Sequence, residues 1–365
     1  MNLKLALYLL VTLFYVNVSL ANNTVLNESS FIDTSTIETQ NFVMLQYHHV
    51  STTTPPVTSI SPADFKTHMA YLKDNHTVIS LDQALTHIKT NTPLPNKSVV
   101  ITFDDGYVNI LENAHPILVE YNFPYTIFIN PAIIGETTSQ LNWEQVKSMQ
   151  PLATFANHTL DHAHLLTRYG SEHENKWLKR VMKDVNQAEE LITENLGYSK
   201  KWLAYPYGEF NSKLKEQLLE GGYIGFGQQS GAVSHFSDFG ALPRFPAAGI
   251  YASLNSLKTK LDSLAMPAKL VSPSDVEFKP GETLSHITLQ VLSEDVRLNN
   301  FACYFKGKRT KIKIDNSVIT AMLDHQLSPG RNRVNCTAPS KRLGNRFYWY
   351  SFPMFTPTEN GDFLE

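Results

Sequence analysis

Short apolar runs alternate with amphipathic stretches over the first two thirds of the chain. The runs "NFVMLQY", "SVVITF" and "YTIFIN" are rich in β-branched and aromatic residues, as expected of strands that are buried on both faces of a sheet. The stretch "SPADFKTHMAYLKDNH" predicts a helix, because Ser61 is a favourable N-cap and Pro62 suits the first helical position. Strands that alternate with helices predict an α/β fold with a parallel sheet, either open or closed into a barrel.

The pattern changes after residue 267. The stretches "SHITLQVLS", "KIKID" and "RNRVNCTA" alternate apolar and polar residues, with no helical periodicity between them. This alternation predicts a small antiparallel β-sandwich domain over residues 268–365. Its aromatic run Tyr348–Tyr350 suits either packing against the α/β part, which we favour, or a platform for sugar rings.

The first 40 residues have a different composition. Residues 1–21 combine one lysine, an apolar core and the small residues Ser19 and Ala21, which predicts a signal peptide cleaved after Ala21. The apolar core is short for a membrane span, which needs about 20 residues, and an uncleaved anchor is the alternative. Residues 22–40 are polar and predict a flexible lead-in. We therefore expect an exported protein with no stable membrane span in its mature chain.

Composition narrows the choice of partners and of redox compartment. The 365 residues suggest two domains, and the net charge of −3 provides no basic footprint for nucleic acid. The only two cysteines, Cys303 and Cys336, can pair as a disulfide in an oxidising compartment, and two reduced buried thiols are the alternative. Two cysteines are too few for a zinc site built from cysteine ligands alone.

Two polar motifs follow predicted strands and suggest chemistry. In "VVITFDDGY", Asp104 and Asp105 end an apolar strand, and Gly106 allows a turn that brings both carboxylates to one cavity. In "HTLDH", His158 and His162 are four residues apart, so a helical turn would present both imidazoles on one face. Two histidines and one carboxylate make a metal site with open positions, and the second aspartate then suits a general base. Taken singly, each motif is also compatible with a solvated turn or a surface pair.

These motifs resemble those of a known family. "TFDDG", "HTLDH" and then "AYPYG" resemble the polysaccharide deacetylases of carbohydrate esterase family 4, which have a NodB-like homology domain, over about residues 41–250. The early "LQYHHV" resembles the exported poly-β-1,6-N-acetylglucosamine deacetylases. The resemblance implies a distorted (β/α) barrel, here residues 41–267. It also implies metal-dependent hydrolysis of N-acetyl groups from a GlcNAc-containing polysaccharide, with release of acetate.

The resemblance also implies roles for individual residues. They are metal ligation by Asp105, His158 and His162, general-base catalysis by Asp104, general-acid catalysis by His48 and oxyanion stabilisation by the backbone N–H of Tyr207. The expected metal is zinc by default, and cobalt, nickel or iron suit the same ligands.

The chain departs from the family at the position of an orienting arginine. Many members have an arginine that orients the catalytic aspartate where this chain has Ala204, and Arg244 in "LPRF" is a candidate replacement. Tyr205 and Trp143 are candidates for sugar contact, with core packing as the alternative.

Other substrates and classes stay open at this level. Peptidoglycan and chitin oligomers are alternative substrates, and a catalytically degenerate glycan-binding protein is an alternative of another class. Glycoside hydrolysis is disfavoured, because adjacent aspartates do not flank a sugar from two sides at the required distance of about 5–9 Å. We expect a periplasmic or secreted bacterial protein that acts on a GlcNAc polysaccharide and does not bind nucleic acid.

Overall fold

The computed structural model describes residues 31–364, so the predicted signal peptide and the first residues of the lead-in lie outside the described residues. The strands up to residue 265 are β1 (Asn41–Tyr47), β2 (His49–Val50), β3 (Ser59–Ile60), β4 (Thr77–Val78), β5 (Ser98–Asp104), β6 (Tyr125–Ile129), β7 (Ala153–Asn157), β8 (Trp202–Ala204), β9 (Ile224–Phe226), β10 (Ala232–Ser234), β11 (Phe245–Pro246) and β12 (Leu264–Ala265). The helices are α1 (Pro62–Asn75), α2 (Leu81–Lys89), α3 (His115–Tyr121), α4 (Trp143–Met149), α5 (Glu174–Leu196), α6 (Ser212–Glu220) and α7 (Leu254–Leu261).

Six parallel strands form the centre of a curled sheet, which agrees with the predicted α/β class. Their order is β1, β5, β6, β7, β8 and β9, and β10 pairs antiparallel with the free side of β1. Segment 242–246 spans part of the gap between the two sides of the sheet. Leu242 pairs with Phe226 at the end of β9, and Phe245 pairs with Leu45 in β1. The curled sheet therefore brings Arg244, which lies inside this segment, next to the end of β1.

The helices and strands show the burial and the N-cap that the sequence predicts. All seven residues of β5 are buried, as a strand covered on both faces requires. Helix α1 starts where the sequence predicts, with the hydroxyl of Ser61 accepting a hydrogen bond from the N–H of Asp64. Helix α5 buries Trp177, Val181 and Val185, which recur every four residues. Burial of such side chains stabilises the fold by about 1.5–3 kcal/mol each.

The second part of the predicted lead-in is packed rather than flexible. The N–H of Ile32 donates to the carbonyl of Leu292, and the hydroxyls of Thr34 and Ser293 lie 2.8 Å apart. Ile37 is buried in a short 3₁₀ helix. Residues 31–40 therefore contact the C-terminal part, because Ile37 packs in the shared buried cluster and Ile32 and Thr34 bond to Leu292 and Ser293.

The C-terminal strands form two largely antiparallel sheets. They are β13 (Ala268–Ser272), β14 (Thr283–Val291), β15 (Ala302–Phe305), β16 (Lys308–Arg309), β17 (Lys311–Asp315), β18 (Val318–Gln326), β19 (Gly330–Pro339) and β20 (Phe347–Thr356). One sheet has the order β12-β20-β19-β15-β16 and the other has the order β13-β14-β18-β17. Cys303 and Cys336 lie directly opposite one another on β15 and β19 and form the predicted disulfide.

The two parts of the chain share their packing. Trp177 and Tyr205 from the α/β part belong to the same cluster of buried residues as Val334 and Phe352 from the C-terminal strands. The chain from Phe31 onward forms one compact unit. Among the described residues, no helix combines the length and the apolar character that crossing a bilayer requires.

Candidate active site

The adjacent aspartates occupy one strand end but face different partners. Asp104 is the last residue of β5, and Asp105 follows it with φ of 72°. A positive φ is uncommon for a residue other than glycine, and such conformations concentrate at functional sites. Gly106 continues the turn with φ of 71°. This turn breaks the strand's alternation, so that both carboxylates lie near the carboxyl end of the sheet.

Asp105 and two histidines bring three ligand atoms together. Its Oδ1 lies 3.2 Å from Nε2 of His158 and 3.3 Å from Nε2 of His162. The three ligand atoms lie within 4.8 Å of one another. The spacing of a typical divalent-metal site is therefore present in the chain itself.

The two histidines lie in a loop after β7, and the helical turn expected from their spacing is wrong. Thr159 and His162 have φ of 69° and 66°, which no right-handed helix contains. Local hydrogen bonds stabilise the loop instead. The side chain of Asn157 accepts from the N–H of Thr159, and the hydroxyl of Thr159 accepts from the N–H of His162. Such side-chain bonds compete with helix formation.

A hydrogen bond fixes the orientation of His158. Its Nδ1 lies 2.7 Å from the carbonyl oxygen of Ala204 and, because a carbonyl only accepts, Nδ1 carries the proton. In the neutral ring, Nε2 then presents a lone pair toward Asp105. The amide of Asn130 donates to the carbonyl of His158 and holds the backbone of this loop. Such outer contacts orient metal-binding histidines in proteins.

The residues present fit a divalent cation. Asp105 Oδ1 and His158 Nε2 are buried and have no hydrogen-bond partner in the described part of the chain. Two lone pairs that face one another out of water are unfavourable, and a bound cation removes that cost. One carboxylate and two imidazoles suit zinc, cobalt, nickel and iron.

Asp104 has a complete set of partners. Its side chain is fully buried, and Arg244 donates from Nη1 to Oδ1 at 2.7 Å and from Nη2 to Oδ2 at 2.9 Å. Gln46 also donates to Oδ2, at 2.7 Å. Burial alone would raise the pKa of Asp104, but the charge of Arg244 and the nearby histidines His158 and His48 hold it below its ordinary value. The carboxylate is therefore kept ionised.

The two histidines of "LQYHHV", His48 and His49, lie in different surroundings. His48 is partly exposed, and its Nε2 lies 3.9 Å from Oδ2 of Asp104. His49 is buried, stacks on Tyr107 at 3.7 Å and accepts a hydrogen bond from Asn109. Burial, together with the charge of His48, lowers the pKa of His49 to about 4. Only His48 is brought to Asp104.

Tyr207 lies against the histidine loop. Its ring stacks on His164, with 3.9 Å between centroids, and meets the edge of His162 at 4.6 Å. Tyr207 has φ of 56° inside the short 3₁₀ helix Pro206–Gly208. The motif "AYPYG" therefore contacts the candidate metal ligand His162 through the ring of Tyr207.

The two expected sugar-contacting aromatics lie elsewhere. Tyr205 is fully buried and donates its hydroxyl to the carbonyl of Gly240 at 2.7 Å, so the prediction that it contacts sugar is wrong. Trp143 is the first residue of α4 and packs, partly buried, against the apolar core of the α/β part. Its contact with a sugar stays a prediction.

Sequence reasoning missed Gln46, Asn130 and Glu209. Gln46 is a polar residue in an otherwise apolar buried strand, a signal that points to a buried partner. Glu209 follows the third motif, is fully buried, and accepts from Nδ1 of His164 at 3.0 Å. Burial raises the pKa of Glu209, and the hydrogen bond from His164 and the charge of Arg331 oppose that shift.

Comparisons with known proteins identify relatives of this chain. The family model of polysaccharide deacetylases matches residues 91–225. A poly-β-1,6-N-acetyl-D-glucosamine N-deacetylase of Staphylococcus epidermidis is 30% identical over 193 residues, which cover 51% of this chain and 67% of the relative. Its counterpart in Staphylococcus aureus is 29% identical over 195 residues, with the same two coverages.

Solved structures share the fold. IcaB from Ammonifex degensii matches with a TM-score of 0.53 and 23% identity, covering 61% of this chain and 97% of that one. The Streptococcus pyogenes deacetylase PplD matches with a TM-score of 0.54 and 21% identity, covering 60% of this chain and 98% of that one. The Staphylococcus epidermidis relative and the family model establish that the chain belongs to the polysaccharide deacetylase family.

Proposed function

We propose that this protein hydrolyses N-acetyl groups of a GlcNAc-containing polysaccharide and releases acetate, with β-1,6-linked poly-N-acetylglucosamine as the substrate. One observation carries the proposal. The ligand atoms of Asp105, His158 and His162 converge within 4.8 Å, and the arginine-bound carboxylate of Asp104 lies at the same strand end. The names of the relatives support the choice of glycan and linkage.

Asp105, His158 and His162 would hold the divalent ion, with zinc as the default. When bound, such an ion polarises a carbonyl and lowers the pKa of water from 15.7 toward about 7. One carboxylate and two imidazoles would leave such an ion able to bind water and substrate.

Asp104 acts as the general base in this proposal. Arg244 and Gln46 fix both of its carboxylate oxygens, so it holds one orientation next to Asp105. It accepts a proton from the attacking water at a carboxylate oxygen. The lowered pKa of Asp104 keeps the acceptor ionised at neutral pH.

His48 and Tyr207 complete the acid and oxyanion roles. The imidazole of His48 lies 3.9 Å from Asp104 and is partly exposed, so it can reach both the buried carboxylate and a bound glycan. It donates a proton to the leaving amine. The backbone N–H of Tyr207 stabilises the oxyanion of the tetrahedral intermediate.

The domain division and the location are part of the same proposal. Residues 41–267 carry the activity, and residues 268–365 form a β-sandwich that packs on them. Residues 1–21 direct export, so that the protein is periplasmic or secreted in a bacterium. The disulfide between Cys303 and Cys336 suits an oxidising compartment.

Acetate release from defined oligomers tests the proposal. We expect release from β-1,6-linked GlcNAc oligomers, loss of release with a chelator, and recovery when zinc is returned. Faster release from β-1,4-linked chitin or peptidoglycan fragments than from β-1,6-linked oligomers would overturn the proposed linkage. Binding of the oligomers without any release, under every metal, would overturn the enzymatic function in favour of a glycan-binding protein.

A further inference from the structure

The turn Pro206–Gly208 has a conformation that needs outside support. Tyr207 has φ of 56° and ψ of 3°, a left-handed conformation that costs a residue other than glycine about 1–3 kcal/mol unless its surroundings hold it. Its ring contacts His162, and its N–H is the proposed oxyanion donor. A shift of this turn would therefore disturb two functional groups together.

One support comes from the α/β part itself. The ring of His164 lies parallel to that of Tyr207, with an angle of 10° between the planes. Nδ1 of His164 lies 3.0 Å from both carboxylate oxygens of Glu209, the residue that follows the turn. These contacts fix the ring of Tyr207 but leave its carbonyl to another partner.

The second support comes from a C-terminal strand. Arg331, the second residue of β19, donates from Nη1 to the carbonyl of Tyr207 at 3.1 Å and to Oε1 of Gln228 at 2.8 Å. Gln228 lies against the turn so closely that a Cβ added at Gly208 would be 2.8 Å from its own Cβ. One guanidinium nitrogen thus ties the turn to the chain that follows β9.

The same C-terminal part also contacts the chain that follows the turn and the chain that follows the histidine loop. The carboxylate of Asp275 accepts from the N–H of Ser212, and that of Glu277 accepts from the side chain of Asn211 at 2.6 Å. Glu277 is also paired with Arg168, which follows the histidine loop. The C-terminal part therefore contacts the chain next to both candidate catalytic loops.

We propose that Arg331 is a positioning residue for the reaction, through which the C-terminal strand β19 holds the Tyr207 turn in its active conformation. The proposal rests on the proposed function. It gives the C-terminal part a role in turnover that a separate sugar-binding module would not have. Because the turn acts on the reacting acetyl group, loss of Arg331 lowers kcat and leaves KM nearly unchanged.

The variants Arg331→Ala and Arg331→Lys test this role. Displacement of a positioned group costs up to about 100-fold in rate, so we expect Arg331→Ala to lower kcat by about 10–100-fold. Lysine can still reach one carbonyl, so Arg331→Lys should recover part of the loss. The matched control is Arg333→Ala on the same face of β19, since Arg333 contacts Tyr251 and Ser230 rather than the turn. Metal content and melting temperature are measured on every variant.

Hydrogen exchange gives a readout that does not depend on turnover. Arg331→Ala should speed exchange in a peptide covering residues 205–210, and Arg333→Ala should not. An Arg331→Ala enzyme with unchanged kcat and exchange would overturn the proposal, as would an equal loss in Arg333→Ala. If the wild-type enzyme releases no acetate, the proposed function fails, and the exchange comparison alone decides whether Arg331 holds the turn.

Discussion

Two clusters of polar side chains contain buried atoms without a hydrogen-bond partner among residues 31–364, and the two differ in charge. The catalytic cluster consists of Asp105, His158 and His162, with Asp105 Oδ1 and His158 Nε2 unpartnered. The second cluster, which we call the seam cluster, lies where the α/β part meets the C-terminal strands. It consists of His76, Asp262, Arg346 and Lys97, and its atoms without a hydrogen-bond partner include both ring nitrogens of His76 and Nη1 of Arg346.

Buried polar atoms without a hydrogen-bond partner have a different cause in each of the two clusters. In the seam cluster, Lys97 Nζ lies 3.0 Å from Asp262 Oδ1, and Arg346 donates from Nε to the carbonyl of Asp262. Lys97 neutralises the carboxylate of Asp262, and Arg346 Nη1 lies 3.8 Å from the carboxylate of Glu38, so the charges balance and the remaining polar atoms suit buried water. The catalytic cluster has one carboxylate and no lysine or arginine of its own. Unpartnered buried atoms therefore indicate a metal only where ligand atoms converge and the local charge is negative.

The largest expected effect separates the two adjacent aspartates. Asp104→Asn removes the proposed base and should lower kcat by about 10²–10⁴-fold while one metal ion per chain is retained. Asp105→Asn should abolish activity and metal content together. Acetate release and elemental analysis measure both. A metal-free Asp104→Asn enzyme, or a metal-loaded Asp105→Asn enzyme, would contradict the division of roles.

The next effect concerns the buried pair of Asp104 and Arg244. Arg244→Met leaves Asp104 buried without its counter-charge and should lower the free energy of unfolding by about 3–5 kcal/mol. The double variant Asp104→Asn/Arg244→Met removes both charges and should regain much of that stability without regaining activity. Chemical denaturation measures the stabilities. A double variant no more stable than Arg244→Met would argue against a charge effect.

Metal removal should affect one cluster and not the other. An ion present at 100 times its dissociation constant stabilises the folded state by about 2.7 kcal/mol, so a chelator should lower the melting temperature. His76→Phe, in the seam cluster, should keep the wild-type metal content and the same response to chelator. If His76→Phe lost metal, local negative charge would not distinguish a metal site from other clusters of unpartnered atoms.

The smallest effect is a pH dependence of stability from His76. Burial is the main cause that lowers the pKa of His76 from its ordinary 6.5 to about 4. The charges of Lys97 and Arg346 lower this pKa further, and the charge of Asp262 opposes the shift. Between those values the unfolded chain binds a proton that the folded chain does not, so stability falls as the pH drops from 6.5 to 4.

Urea denaturation of the chelated protein at several pH values measures this dependence. Tyr71, whose ring lies 5.6 Å from that of His76, is uncharged over this range and does not contribute. In His76→Phe the fall in stability should be smaller than in the wild type. Equal falls in both proteins would remove His76 as the cause.

The sequence by itself determined the main elements and the candidate metal ligands. Apolar runs, an N-cap at Ser61 and the change of pattern after residue 267 are local signals, and each acts within a few residues of itself. Asp105, His158 and His162 stand in short motifs whose spacing the family resemblance made specific. The loop conformation of the two histidines was not predicted, because side-chain hydrogen bonds from Asn157 and Thr159 replace the helical ones.

Only the tertiary structure decided which residues support these motifs. Arg244 reaches Asp104 across 140 residues because segment 242–246 lies between β9 and β1 in the curled sheet. Tyr205 was a candidate for sugar contact with core packing as the alternative, and it lies in the core directly after the buried strand β8. Arg331 lies 124 residues from the turn that it contacts. Such contacts depend on how the sheets pack, and a pattern read along the chain holds no information about which distant residue fills a given space.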